Sequence, residues 1–269
     1  MRPSPLPASE SIKQRLARGD TILALTLVVP SAETAAQAAA LGFDVLWVEM
    51  EHSPITLESL RGIVLATRSQ PAVVFARVPV TERWTAKRVL DQGVAGVVFP
   101  FVGSGSEAQR AARACRYPPI GDRGSGAGLA CVTWPLPGDY YASADENVVA
   151  VAMIEDRAGL DAADDIAATP GIDVIFIGTS DLAFALGARG DDSAPVVQDA
   201  IARIAEAARR HGKPLGRPAP TPADVQRGRK QGFQFFQTVT ELGLMKRGAV
   251  DFFAPTSVEI GERTTAPLY

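Results

Sequence analysis

The stretch GIDVIFIGTSDLA (171–183) holds the pattern that organises the whole chain. An apolar run rich in β-branched residues gives way, with no linker, to Gly178, Thr179, Ser180 and Asp181, and a helical stretch follows. A continuous apolar run suits a strand covered on both faces rather than a strand with one wet side. Comparable runs stand on either side of it: TILALTLVV (21–29), FDVLWVEM (43–50), AVVFARV (72–78), AGVVFPFV (95–102), VVAVAMIE (148–155), PLGRPAP (214–220) and FQFFQTV (233–239). Helical periodicity fills the intervals: Ser31–Leu41, Thr56–Arg68, Thr81–Gln92, Ser106–Cys115, Asp156–Ala168, a region after Asp181 that includes Ala194–His211, Thr221–Gln231 and Glu241–Val250. Ser, Thr or Asp opens several of these, and Gly closes several.

Eight such units in 269 residues predict a closed (β/α)8 barrel, for which about 250 residues is typical, formed as one domain over residues 1–269. An open doubly wound sheet is the alternative, but VVPSAET (28–34) after the first run lacks that fold's Gly-rich phosphate turn. The prolines of 214–220 make the seventh strand the weakest. The connection Tyr117–Asn147 is longer than usual and rich in Gly and Pro. Within it, GDRGSGAG (121–128) lacks the Lys-Ser/Thr of a phosphate loop and reads as a surface connection or an active-site lid.

Composition excludes several classes. Twenty-seven basic against 30 acidic side chains give a net charge of −3, with no basic patch for nucleic acid or a membrane surface. No apolar run approaches the roughly 20 residues of a membrane span. Two cysteines, Cys115 and Cys131, make neither a disulfide framework nor a thiolate zinc site, and they suit a reducing cytoplasm. There are only two histidines, so an enzyme needing an imidazole has a short choice.

A barrel gathers its chemistry at the C-terminal ends of its strands. The second run ends WVEMEHSP (47–54), which sets Glu49 and Glu51 on one face and His52 where the strand becomes loop. Arg77 ends the third run, where a guanidinium can clamp a carboxylate or an oxyanion. Glu155 and Asp181 end the fifth and sixth runs in equivalent positions. Two carboxylates with no soft donor nearby fit a hard divalent cation, or else a loop acid and a helix N-cap. The amides of Gly178, Thr179 and Ser180, before a helix, suit an anion. His211, in RRHGK, reads as a helix cap. None of the five lysines ends a strand, so a Schiff base has no nucleophile.

From about Ser11 to Val250 the chain resembles the metal-dependent 2-oxo-acid aldolases of the HpcH/HpaI aldolase/citrate lyase family, the 4-hydroxy-2-oxoheptanedioate aldolase-like group. The landmarks are GFDVLWVEMEH (42–52), ARVP (76–79), VLDQGVAGVVFP (89–100), RYPPIGDRG (116–124), IED (154–156) and GIDVIFIGTSDLA. The resemblance implies a TIM-type barrel of the phosphoenolpyruvate/pyruvate-like superfamily. It places the base at His52, the enolate-stabilising arginine at Arg77, an acid raising the histidine's basicity at Asp91, and metal ligands at Glu155 and Asp181. Ser180 matches the amide that meets the substrate carboxylate, and Glu49 and Glu51 support the same site. Met153 stands where the family has a substrate-contacting glutamine, and Glu49 where an aspartate is common. The tail, about 251–269, does not read as the expected helix.

The implied activity is a carbon–carbon lyase. With Mg²⁺, Mn²⁺ or Co²⁺ it would cleave a 2-oxo-4-hydroxy acid to pyruvate, or a pyruvate analogue, and an aldehyde. A homo-oligomer, hexamer or trimer of dimers, is implied as well. The alternatives are an oxaloacetate decarboxylase or enolate-condensing synthase, and a non-catalytic metabolite-binding barrel.

Overall fold

A computed structural model describes residues 10–133 and 140–256. Eight parallel strands close in sequence order: β1 (Ile22–Leu27), β2 (Val45–Glu49), β3 (Val73–Arg77), β4 (Gly96–Phe99), β5 (Val149–Ile154), β6 (Val174–Ile177), β7 (Leu215–Pro218) and β8 (Phe235–Thr240). Seven fall inside runs expected from the sequence, the proline-rich seventh included, and β8 passes the end of its run by one residue, Thr240. β7 ends at Pro218 after only two register pairs with β6, Ile175 with Leu215 and Phe176 with Gly216.

Alternation along the strands sorts side chains into two layers. Inward positions form a core of Ile22, Ala24, Val45, Trp47, Phe75, Val98, Val149, Val151, Met153, Val174, Phe176 and Phe235. Outward positions such as Leu25, Leu46, Val48, Val97 and Ile175 pack under the surrounding helices. Four aromatic rings fill the barrel axis. Trp47 and Phe176 lie 5.1 Å apart between centroids, and Phe75 stacks on Phe235 at 5.8 Å. Their bulk requires glycine opposite: a Cβ on Gly96 would lie 2.6 Å from the Phe75 ring, and one on Gly216 2.5 Å from Phe176. Below them a helix that the sequence reading missed, Ile12–Ala17, turns Ile12 and Leu16 into the same core and stoppers the N-terminal end.

Helix starts obey side-chain capping. Ser31 accepts from Thr34 N at 3.1 Å, Ser104 from Glu107 N at 3.2 Å and Asp156 from Gly159 N at 2.7 Å. Each even-numbered strand follows a left-handed glycine, Gly42, Gly93, Gly171 or Gly232, with φ of 92°, 97°, 87° and 89°. Only glycine adopts that conformation freely, so these four end the preceding helix and aim the chain into the next strand. His211 is the C-cap of Pro195–Arg210 and pairs with Asp164 at 3.2 Å, as a capping role requires.

Three expectations need correction. The interval 156–168 is two helices, Arg157–Asp161 and Ala163–Ala168. The last helix runs Glu241–Phe253 and continues into a 3-10 turn to Thr256, so the tail begins helical. Residues 257–269 lie outside the described residues, as do 134–139 in the long connection. That connection holds the helices Gly128–Thr133 and Tyr140–Asn147. Because it joins the helix Gly105–Ala114 to the start of β5, its described residues lie at the end of the barrel opposite the strand C-termini. GDRGSGAG is therefore no lid over its own barrel's mouth.

Two acids staple that opposite end. Asp44, ahead of β2, accepts from Leu23 N at 2.8 Å and pairs with Arg15 at 3.0 Å. Asp173, ahead of β6, accepts from Ala150 N at 2.8 Å and pairs with Arg116 at 3.0 Å and Lys13 at 2.8 Å. The Arg116 side chain is only 6% exposed, against 34% for Lys13. Removing the partner of a buried charge costs far more than removing an exposed one. Asp173→Ala is expected to lower unfolding stability by about 3 kcal/mol, and Lys13→Ala by less than about 1 kcal/mol, measured by urea denaturation.

Candidate active site

The mouth of the barrel collects Glu49, Glu51, His52, Arg77, Glu155 and Asp181, the set expected from the strand ends. The parallel register pairs Glu49 with Arg77 across β2 and β3. Their side chains, inward like Trp47 and Phe75 two residues before them, meet at 2.6 Å between Glu49 Oε2 and Arg77 Nε. Glu49 is buried and fully used. Its Oε2 also accepts from Trp47 Nε1 at 3.3 Å, and its Oε1 from the amides of Glu51 at 2.9 Å and His52 at 3.1 Å. Glu49 thus builds the turn that carries the next two residues.

Glu51 Oε2 lies 3.1 Å from Arg77 Nη1 and 3.7 Å from His52 Nε2, yet makes no well-formed hydrogen bond. Burial pushes its carboxyl above the usual range, against the pull of Arg77 and then of His52. The His52 ring is 53% exposed at the mouth. Met153 is buried in the barrel core with Sδ 3.9 Å from Arg77 Nη1. It touches the arginine from below, where a glutamine would have offered hydrogen bonds.

Glu155 is the most perturbed acid. Its Oε1 accepts from Phe101 N at 2.9 Å, while its Oε2 is buried without a hydrogen-bond partner. Burial, reinforced by repulsion from Glu51 and Asp181, pushes the carboxyl up to about 8. Gly178 makes the space for it, since a Cβ there would lie 2.3 Å from Glu155 Oε2. The short helix Thr179–Ala185 starts at Gly178 with no side-chain cap. Asp181 therefore sits inside the first turn, half-buried, and is not the N-cap considered from sequence. Thr179 is buried and Ser180 exposed at the same turn. Among the described residues, no three His, Cys, Asp or Glu side chains form a ready ligand cluster.

Asp91 lies elsewhere. It ends the helix Arg83–Leu90, ahead of β4, and so sits at the stapled end of the barrel. There its carboxyl, raised by burial, lies 3.5 Å from the buried Arg123. Among the described residues, the acid facing His52 is Glu51. The order helix–Asp91–strand already implied this, because helix-to-strand turns fall opposite the strand C-termini. Three further residues escaped the sequence reading. Trp47 fixes Glu49, Phe101 supplies the amide to Glu155, and buried Glu241 accepts from Val28 N and Val29 N, both at 2.7 Å, to tie the loop after β1 to the end of β8. The strand-end rule finds Phe101 and Glu241. Nothing in the composition of the runs marks the indole.

A closed parallel barrel whose mouth concentrates four carboxylates around one arginine and one exposed imidazole defines an enzyme site. Residues 25–247 match the HpcH/HpaI aldolase/citrate lyase family, and the chain belongs to it. It is 38% identical over 207 residues to the 5-keto-4-deoxy-D-glucarate aldolase of Salmonella arizonae, covering 77% of this chain and 81% of that one. A solved HpcH/HpaI aldolase/citrate lyase family protein from Burkholderia cenocepacia superimposes with a TM-score of 0.84 at 29% identity, over 92% of this chain and 99% of that one. The solved citrate synthase SbnG does so with a TM-score of 0.81 at 27% identity, over 91% and 97%. The chain is accordingly an enzyme of the carbon–carbon lyase class, and the non-catalytic barrel considered from sequence is set aside. Among the described residues, no helix is long and apolar enough to cross a membrane.

The raised Glu155 carboxyl has a thermodynamic sign. Between 4.5, the ordinary value, and about 8, the folded chain holds a proton that the unfolded chain has lost. The metal-free protein is therefore expected to lose stability as pH rises through that window, by at most roughly 1.4 kcal/mol per pH unit. Glu155→Gln, neutral throughout, removes this group's share of the slope and leaves that of Glu51 and Asp91, whose carboxyls burial also raises. Urea titrations from pH 5 to 8 in a chelator read it directly.

Proposed function

We propose that the protein is a divalent-metal-dependent aldolase that interconverts a 2-oxo-4-hydroxy acid with pyruvate, or a close analogue, and an aldehyde. The observation that carries this reading is the buried, half-satisfied Glu155 beside Asp181, across the mouth from Arg77. A partnerless carboxylate oxygen, a glycine cradle and an excess of hard oxygen donors over positive charge suit a cation. Glu155 and Asp181 would hold Mg²⁺, Mn²⁺ or Co²⁺, leaving the other positions to water and substrate. When bound, such an ion supplies Lewis acidity to the oxygens of a 2-oxo acid.

The chain's own groups account for the rest. The amides of Gly178, Thr179 and Ser180 receive the substrate carboxylate. His52 takes the proton of the 4-hydroxyl as the bond between C3 and C4 breaks, and the electron pair moves towards the C2 oxygen. Arg77, held in place by Glu49 and Glu51, stabilises the charge that develops there. Protonation at C3 then gives the methyl group, and the reverse sequence adds an aldehyde. Glu51 faces the His52 ring, with Oε2 3.7 Å from Nε2, and takes the neighbouring position that the resemblance assigned to Asp91. Met153 packs beneath Arg77 and shapes the floor.

A second reading, an enolate-condensing synthase or oxaloacetate decarboxylase, is motivated by the overlap with a citrate synthase. Both share the first half of the chemistry and part over the second reactant. The exposed Met245, Val250, Phe252 and Phe253 on the last helix also lead us to assign that helix to contacts between copies, in a hexamer or trimer of dimers.

Pyruvate's methyl protons are expected to exchange in heavy water only with Mg²⁺, Mn²⁺ or Co²⁺ present, and His52→Ala to slow exchange by about 10²–10⁴-fold. Proton NMR checks both. No exchange with any of the three ions would sink the mechanism. Oxaloacetate loss and aldehyde addition, run side by side, separate the two readings. Phe252→Asp is expected to lower the molar mass seen by light scattering.

A further inference from the structure

Phe101 follows β4 in FPFVG (99–103) and combines three features that do not ordinarily occur together. Its backbone is left-handed, with φ of 48°, in a bulky residue that seldom adopts that conformation. Its N–H donates to Glu155 Oε1 at 2.9 Å, which puts the phenyl group on the atom next to a bond with the deepest acid of the site. Yet the residue is 46% exposed.

The segment is not loose. Thr81 Oγ1 donates to Pro100 O at 2.5 Å, and Val102 N donates to Met153 O at 3.0 Å. Bonds on both sides and at Phe101 itself fix the turn, which is how an unfavourable φ persists in a folded chain. The left-handed turn directs the amide at Glu155, and any residue with an N–H could serve that purpose. Glycine would do so without strain. A large apolar side chain on a fixed left-handed turn at the rim, with the residue 46% exposed, needs a reason of its own.

We propose that Phe101 is a specificity-determining residue, whose ring forms an apolar wall for the carbon chain of the aldehyde half of the substrate. This rests on the reading of the site as a 2-oxo-acid aldolase. The 2-oxo acid occupies the polar ground between Arg77, Glu155 and Asp181, and the floor beneath is closed by Trp47, Phe75, Phe176 and Phe235. The aldehyde must then extend outward past the rim, to which Phe101 belongs, since it follows the C-terminal end of β4 and its N–H is bonded to Glu155. An apolar wall favours an aldehyde whose chain is hydrocarbon over one that carries hydroxyls, because burying an unpaired hydroxyl against a ring is unfavourable.

The test measures kcat/KM for addition of pyruvate to pentanal and to glyceraldehyde, with the full-length protein and Mn²⁺. Phe101→Gly retains the N–H and suits the backbone. It is expected to lower the pentanal-to-glyceraldehyde ratio about tenfold, chiefly through the KM for pentanal. Phe101→Leu should restore most of the ratio, and Phe101→Asn, which tolerates a left-handed backbone, should lower it further. Equal losses for both aldehydes, or an unmoved ratio in Phe101→Gly, overturn the assignment. If the wild-type protein exchanges pyruvate's protons and only the ratio fails to respond, the aldolase reading stands and the Phe101 assignment falls. If the wild-type protein exchanges no protons, both fall.

Discussion

The mouth of this barrel depends on one carboxylate. Glu49 takes four donors on two oxygens: the Arg77 guanidinium, the Trp47 indole, and the amides of Glu51 and His52. Removing that acid would leave the half-buried Arg77 guanidinium with Glu51 alone and release the turn bearing the imidazole together. An acid so completely satisfied has no lone pair left to offer a metal or a proton. Its contribution is to make its neighbours available, and the parallel register of β2 and β3 delivers it opposite Arg77.

The other acids differ from Glu49 in how far they are satisfied. Glu51 is held near Arg77 and His52 without a well-formed bond, Glu155 has one oxygen bonded and one bare, and Asp181 stands half-buried in a helix's first turn. The two acids with an unbonded buried oxygen, Glu51 and Glu155, are the ones whose carboxyls burial pushes up. Unmet oxygen demand thus stands on both sides of the mouth, at Glu51 Oε2 beside His52 and Arg77 and at Glu155 Oε2 beyond β5.

Most of the architecture was legible because both-faced burial of parallel strands leaves continuous apolar runs, and eight of them fill the length. The strand-end rule likewise placed Glu49, His52, Arg77, Glu155 and Asp181 at one rim. What escaped depends on relations that a linear reading does not weigh. The helix Ile12–Ala17 was missed because its apolar residues are few and its role is to plug the barrel. The four left-handed glycines ahead of the even-numbered strands form a repeat of conformation within dissimilar sequences. The left-handed turn at Phe101 carries no signature in a phenylalanine. Asp91 shows the opposite case: its position between a helix and a strand already put it at the far end, and the family resemblance outweighed that topological argument.

The barrel is stoppered. Four aromatic rings fill its axis, and Ile12 and Leu16 close it from below, so among the described residues the site opens at the C-terminal ends of the strands. A site open at one end orders traffic. The reactant that settles deepest must arrive before the one that lies above it, and must leave after it. An abortive pairing then becomes a matter of queueing as much as of affinity, because whatever occupies the doorway first holds the chamber behind it. The ring packing that supports the fold thereby also sets the direction in which molecules can pass through the enzyme.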